Sequence, residues 1–459
     1  TEIYTLSLHD ALPICNPEAM RPFLSPVDER SPLDVTRFIL AMRRSGRSKL
    51  HEGKHFPPPF FLAPRESRHL RGGRTLTFLD VLAGRRFRDG ILRAESNPDI
   101  KGVATSDAAK AGFIPLHWER VFEVTVPYAA LIPTAIDNLI VAGKAYSVSH
   151  DALSTARMQR DLCVMGLVAG EALRLAVDRR VLVRDIPIRE LQATLLAKGM
   201  LRAEDLADDD LGFGATPAEI ARKVIDARDM DECLTASAQL CLLPPTQVRS
   251  LLEPHAASDR HAVNRVLGFL GSPRGLGHLA GHVSQALDEP VLSQKLFGGD
   301  GNKLSMPDQG YAPWTALRLH CLAQARDPRT VALLARLAER VSRDPADLHS
   351  SWGYFYSLAC GFERLSCAEG AAPLRQVLQA PLFQGRLVAR SADLRTCRDT
   401  LGERLGYLRL ALARALTRCG DPEGARLLCE FLDEARVCYA RAARAELAEI
   451  GRASCRERV

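Results

Sequence analysis

A chain of 459 residues is long enough for two or three domains, each burying its own core. Its 46% apolar and 25% charged residues are ordinary for a protein that folds in water, and the net charge of +6 is spread over Lys and Arg side chains interleaved with acids. No basic run is flanked by aromatics, and no stretch reaches the roughly 18 apolar residues that a membrane span needs. Nucleic acid and membrane are therefore not expected as partners.

The 12 cysteines are dispersed and none forms a C-x-x-C pair. Thiols set about one per helix read as small core residues, which fits a reducing cytoplasm and predicts no metal site. Thr1–Ile14 contains no Lys or Arg, so it lacks the basic region of a targeting peptide. Residues 1–15 and 448–459 resemble translated sequencing adapters and are set apart from the fold. On that reading the natural protein continues beyond both ends, and any export signal lies outside this chain.

Asn16–Lys54 is Pro-rich at first, then shows a short helical pattern around Asp34–Met42; Pro57-Pro58-Pro59 breaks regular structure after it. Arg65–Arg68 sets Glu66 among basic side chains, the pattern of a solvated ion-pair cluster, unless, as the family resemblance given below implies, Arg65 or Arg68 faces a ligand. Thr75–Leu82 predicts a strand turning into a helix. Arg120–Val126 alternates, with Phe122, Val124 and Val126 on one face, and predicts a half-exposed strand. Pro127 ends it.

Asn138–Ala142 is a short apolar run closed by Gly143, the pattern of a strand buried on both faces. A polar loop, Lys144–Ser154, leads to Ser154-Thr155, where a helix can start. From Ala156 to about Val177 the spacing of Leu162, Met165, Ala169, Ala172 and Ala176 predicts a helix with one apolar face. Gly166 and Gly170 would let it lie close against a sheet. Strand, small-residue loop and helix N-terminus together suit an anionic or carbonyl-rich ligand, because free N–H groups point outward there; the alternative is an ordinary strand–loop–helix joint.

The residues of this stretch, NLIVAGKAYSVSHDALSTARMQRDLCVMGLVAGEAL, resemble the C-terminal flavin-contacting motif of the FAD-dependent oxidoreductase family. Ala63–Arg68 with Asp80 and Asp89 is similar to a second motif of that family, and Val126–Pro133 to a third. The resemblance runs from about Phe56 to Leu201. It implies FAD as cofactor, flavin-mediated hydride or electron transfer on an unknown small-molecule substrate, and an α/β fold of the Rossmann-like kind. It further implies that Gly143 lets the backbone pass close to the flavin, that Ser147, Ser149 and Ser154 offer hydroxyls, and that Arg157 places positive charge near the reduced ring. His150 would donate to flavin or substrate, or act as acid or base. Such a flavoprotein also needs a strand, a Gly-rich turn and a helix to hold the pyrophosphate. The only G-x-G-x-x-A string, Gly275–Ala280, follows a helical stretch, Val263–Leu270, instead of a strand. The chain thus reads as an incomplete Rossmann-like FAD domain, a fragment lacking the pyrophosphate contacts.

After it, Leu191 and Leu195 form the stripe of another helix, with Gly199 as its stop. Acidic Ala203–Gly214 is the best domain boundary, and Thr216-Pro217-Ala218-Glu219 is a capping box. From there to Leu447 helix follows helix across breaks such as Gly271–Leu276, Arg326–Val331 and Gly420–Ala425, with a weaker copy at Glu369–Leu374. This pattern reads as an all-α HEAT-like solenoid or bundle, with a protein partner as its expected ligand. The organisation expected is 16–202 for the flavin domain, 203–215 as linker and 216–447 as the helical-repeat domain.

Overall fold

The computed structural model describes residues 66, 68–100, 104–113, 120–208, 211–228, 230, 232–292, 314–343, 348–389 and 405–456. The expected helix at Asp34–Met42 and the break at Pro57–Pro59 lie outside them. Two compact units emerge among the described residues, one within 66–327 and the other within 328–456.

In the first unit, Leu76 bridges in parallel to Val148 and leads into α1 (Phe78–Leu82). Thr77 caps α1 through a reciprocal pair with Asp80. Strands β1 (Gly90–Ser96) and β2 (Phe122–Pro127) pair antiparallel, with Ala94 opposite Val124. The expected alternation holds in β2, where Phe122, Val124 and Val126 are buried and Glu123 is exposed. Thr125 is buried as well, because its Oγ1 accepts the Phe87 N–H at 2.8 Å.

Helix α4 (Gln159–Arg179), which follows the short α2 (Asp107–Lys110) and α3 (His150–Leu153), packs on β1. It buries Met165, Val168, Ala169, Ala172, Leu175 and Ala176, the face that the sequence spacing predicts. The helix opens later than expected. Ser154 closes α3 as its C-cap, with helical backbone, and donates its hydroxyl to Asp151 O at 2.6 Å, whereas Met158, with extended backbone, takes the N-cap position. Gly166 and Gly170 face outward, with nothing near where a side chain would begin.

The strand expected at Asn138–Ala142 is not formed. Asn138 has a left-handed backbone (φ 52°), and Leu139 is 39% exposed. A run buried on both faces needs a strand on each side. The two-stranded sheet of the described residues pairs only β1 with β2, and Val141 N–H reaches Leu131 O instead. The parallel sheet of a Rossmann-like domain is absent among the described residues.

Helix α5 (Ile188–Ala197) buries Leu191 and Leu195 and gives way to Gly199 in a left-handed conformation. Within the acidic stretch that follows, Gly212 sits at φ 64° directly against Arg86 O, where a β-carbon would overlap that oxygen. Gly212→Ala is accordingly expected to lower stability by roughly 2 kcal/mol or more, read as the shift of a urea unfolding midpoint.

Helices α6 (Pro217–Ile225), α7 (Leu234–Cys241), α8 (Pro245–Leu252), α9 (His261–Phe269), α10 (Pro273–Asp288) and α11 (Trp314–Gln324) complete this unit. The Thr216–Glu219 capping box forms as the sequence predicts. α7 packs on α1 and α11 on α2, and the Phe113 and Phe269 rings meet edge to face. Gly275–Ala280 lies inside α10, in helical backbone, so it makes no phosphate-binding turn.

The second unit contains α12 (Thr330–Arg343), α13 (Leu348–Leu365), α14 (Ala371–Leu378), α15 (Leu405–Arg418), α16 (Pro422–Glu430) and α17 (Val437–Arg456). Asp421 caps α16 by accepting from Glu423 N–H, and Leu427 and Leu428 point into the core. Trp352 stacks on Tyr356 and Tyr407. Among the described residues no helix is long and apolar enough to cross a membrane.

Candidate functional site

Glu66 does not belong to a solvated cluster of arginines. It is 8% exposed, and its two oxygens go to two histidines: Oε2 lies 2.5 Å from His150 Nδ1 and Oε1 2.8 Å from His69 Nε2. His69 Nδ1 lies 3.2 Å from the Tyr146 carbonyl oxygen. A carboxylate and a carbonyl both accept, so His69 satisfies both contacts only by donating from both ring nitrogens. Burial by itself would raise the Glu66 pKa. The hydrogen bonds from His150 and His69, and then their charges, outweigh it and hold the carboxyl below its usual value.

His150 opens α3, and Asp151 beside it is wholly buried. Asp151 accepts from Thr105 N–H, at 3.1 Å to each oxygen, and from Ser106 N–H at 2.8 Å, while Thr105 Oγ1 lies 3.3 Å away. This carboxylate pins the segment before α2 to the loop that carries His150. It also lies 3.9 Å from His150 Nε2, the ring nitrogen not engaged by Glu66. Tyr146 is fully buried, with its hydroxyl donating to Ala156 O at 3.3 Å; burial pushes its pKa up. Asp161, in the first turn of α4, is raised by burial against the opposing pull of Arg160. The whole loop 143–156 is therefore held from inside by polar contacts.

Along this loop the residues expected at a cofactor divide into two groups. Ser147 is buried, its hydroxyl 2.8 Å from Thr75 Oγ1, and Ser154 is turned onto Asp151 O. Arg157 donates to Asp99 O at 2.8 Å and lies 3.6 Å from the Asp99 carboxylate. These three are engaged within the protein. Gly143 and Ser149 differ. Gly143 has φ 102°, a conformation that favours glycine, and open space where a β-carbon would stand. Its N–H approaches Met165 Sδ at 3.2 Å. Ser149 Oγ is buried with no hydrogen-bond partner among the described residues, which is costly unless a further group supplies one. Gly143 thus leaves backbone that a ligand can approach closely, and Ser149 a hydroxyl without a partner among the described residues.

Sequence reasoning singles out His150 but misses Glu66, His69 and Asp151 as its partners. The i, i+3 spacing of Glu66 and His69 is the one local signal; the other contacts join residues far apart in sequence. Arg65 lies outside the described residues.

The model of the family described as FAD dependent oxidoreductase matches residues 59–195. No curated protein and no solved structure matches the chain. The matched span holds Glu66, His69, Gly143, Ser149, His150 and Asp151, so the constellation described above falls entirely inside it. The chain contains an FAD-dependent oxidoreductase family region, residues 59–195.

Proposed function

We propose that this region serves flavin-dependent oxidation or reduction of a small-molecule substrate. Gly143 and Ser149 contact the ring side of FAD, and His150 holds or moves a proton beside it. The observation that carries this reading is that one loop holds an open, positive-φ glycine and, one residue before His150, a buried serine hydroxyl without a partner among the described residues. FAD, when bound, supplies the two-electron chemistry. Glu66 takes Nδ1 of His150 and so orients the ring, and Nε2, 3.9 Å from Asp151 Oδ1, is the atom at which a proton is exchanged. Ser147 and Ser154 shape the loop from within. Arg157 fixes the Asp99 segment beneath it, a positioning role instead of direct charge stabilisation.

Titrating the purified chain with FAD tests the assignment, with quenching of flavin fluorescence as the readout. Wild type is expected to saturate. Gly143→Val is expected to weaken binding about tenfold or more, because valine disfavours positive φ and fills the open space. Unchanged affinity in Gly143→Val would overturn the placement.

The recurrence of helices opened by Pro, at Pro273 and Pro422, favours a second reading in which the helices form a HEAT-like scaffold for a protein partner. The dispersed free thiols suit a reducing, cytoplasmic setting.

A further inference from the structure

A cavity of about 250 Å³, open to solvent, lies against β2 in the first unit. It shares no lining residue with the loop that carries His150. The strand register places Arg93 opposite Thr125 and Glu95 opposite Glu123. Two glutamates directly opposite one another repel, and the pair is tolerated where a cation joins them. Arg93, two residues from Glu95 and so on the same face of β1, is that cation. It hydrogen-bonds Glu123 and lies 3.9 Å from Glu95. The 3₁₀ turn Ala203–Asp205 brings Glu204 to 3.7 Å and Asp205 to 3.6 Å from the same guanidinium, and Arg202 lies 3.5 Å from Glu204. Four carboxylates thus meet two guanidiniums, and negative charge is in excess on this side. Burial by itself would lower the Arg93 pKa; the hydrogen bond to Glu123 and the charges of Glu123, Asp205 and Glu95 outweigh it and hold it above the usual value.

Asp205 is the acid of this group that is set into the wall. It lines the cavity yet is only 4% exposed. Its Oδ2 accepts the Arg202 N–H at 2.9 Å, whereas its Oδ1 meets only Arg93 among the described residues, at a distance too long for a hydrogen bond. Arg93 Nε is in turn buried without a hydrogen-bond partner, so the pair does not close on itself. A buried carboxylate oxygen left without a donor is costly, and a cationic donor in the cavity relieves it.

The same wall also carries positive charge. Arg120, two residues before β2, donates from Nη2 to Thr235 Oγ1 at 3.2 Å, and its guanidinium lies over the Phe122 ring at 5.2 Å. Arg120, Thr235 and Phe122 all line the cavity. Arg86 lines it too and pairs with no carboxylate among the described residues; its segment is held to β2 by the Thr125 N–H, which donates to Arg85 O at 3.1 Å.

We infer that this cavity binds a small zwitterion, an amino acid whose ammonium group meets Asp205 and whose carboxylate meets Arg120. An amine without a carboxylate has nothing to offer Arg86 and Arg120, and a carboxylate without an ammonium is opposed by Asp205 and Glu123, so the wall selects for both charges. The volume falls below the roughly 300–1,000 Å³ of sites for drug-sized ligands, which suits a small occupant.

Four probes of similar size test the site. Norvaline and its isomer 5-aminopentanoate carry both charges, close together in the first and far apart in the second; pentylamine and pentanoate carry one each. Binding of each to the full chain is measured by calorimetry. At least one zwitterion is expected to saturate and to bind about tenfold or more tightly than either singly charged analogue, and the tighter isomer gives the charge separation the site prefers. Asp205→Asn keeps an acceptor for the Arg202 N–H and is expected to weaken the zwitterion about tenfold without weakening pentanoate. Arg120→Met is expected to weaken the zwitterion similarly without weakening pentylamine. Glu123→Gln, at a half-exposed position, should weaken it several-fold. Failure of both zwitterions to saturate, or equal binding by a singly charged analogue, would overturn the site in wild type alone, whether or not a variant folds. Unchanged zwitterion affinity in Asp205→Asn would overturn it as well.

Discussion

Glu66→Gln is expected to cost about 2–3 kcal/mol of folding stability near neutral pH, because the amide replaces a carboxylate that accepts charge-assisted hydrogen bonds from two histidines. The substitution keeps the shape of the side chain but leaves one oxygen where there were two, so a histidine N–H then faces an amide NH₂. The loss carries a pH signature. The folded pKa of Glu66 lies below the ordinary carboxyl value, so its contribution is fully present above that value and disappears as pH falls through the lowered one. Urea midpoints of wild type and Glu66→Gln should therefore differ most near neutrality and converge in acid. A difference that persists unchanged into acid would show that Glu66 contributes through packing alone.

A comparable loss is expected from Asp151→Ala. Two backbone N–H groups and the Thr105 hydroxyl converge on this wholly buried carboxylate, and all three lose their acceptor when it is removed. The cost expected is about 2–4 kcal/mol, with Asp151→Asn intermediate because one acceptor oxygen remains. Denaturant unfolding measures it. A change under about 0.5 kcal/mol in the alanine variant would mean that the segment before α2 is held by other contacts.

The parts of this fold that are legible in the sequence are those governed by neighbours within a turn or two. The Thr216–Glu219 box, the stripe of Leu191 and Leu195, the Met165–Ala176 face and the alternation of Phe122, Val124 and Val126 all depend on local spacing, and the structure forms each of them. Asn138–Ala142 shows the opposite case: an apolar run becomes a strand only if other strands flank it, and the run itself says nothing of whether they do. The helix after the loop starts five residues past Ser154 because Ser154 already has helical backbone as the C-cap of α3, where an N-cap needs an extended one. Glu66 illustrates the same limit for the site. Its sequence neighbours are arginines, whereas its main partner, His150, lies 84 residues away. The i, i+4 pairs His261 with Arg265 and Trp314 with Arg318 are visible one by one in the sequence, yet only the packing of α9 on α11 brings them to one cavity.

The proposal that this region contacts the ring side of FAD, and not its pyrophosphate, is tested most directly by comparing flavins of different length. Fluorescence quenching by the purified chain would be measured for riboflavin, FMN and FAD under the same conditions. All three are expected to bind with dissociation constants within about tenfold of one another, since Gly143 and Ser149 meet the part they share. Binding confined to FAD, or absent for all three, would contradict it.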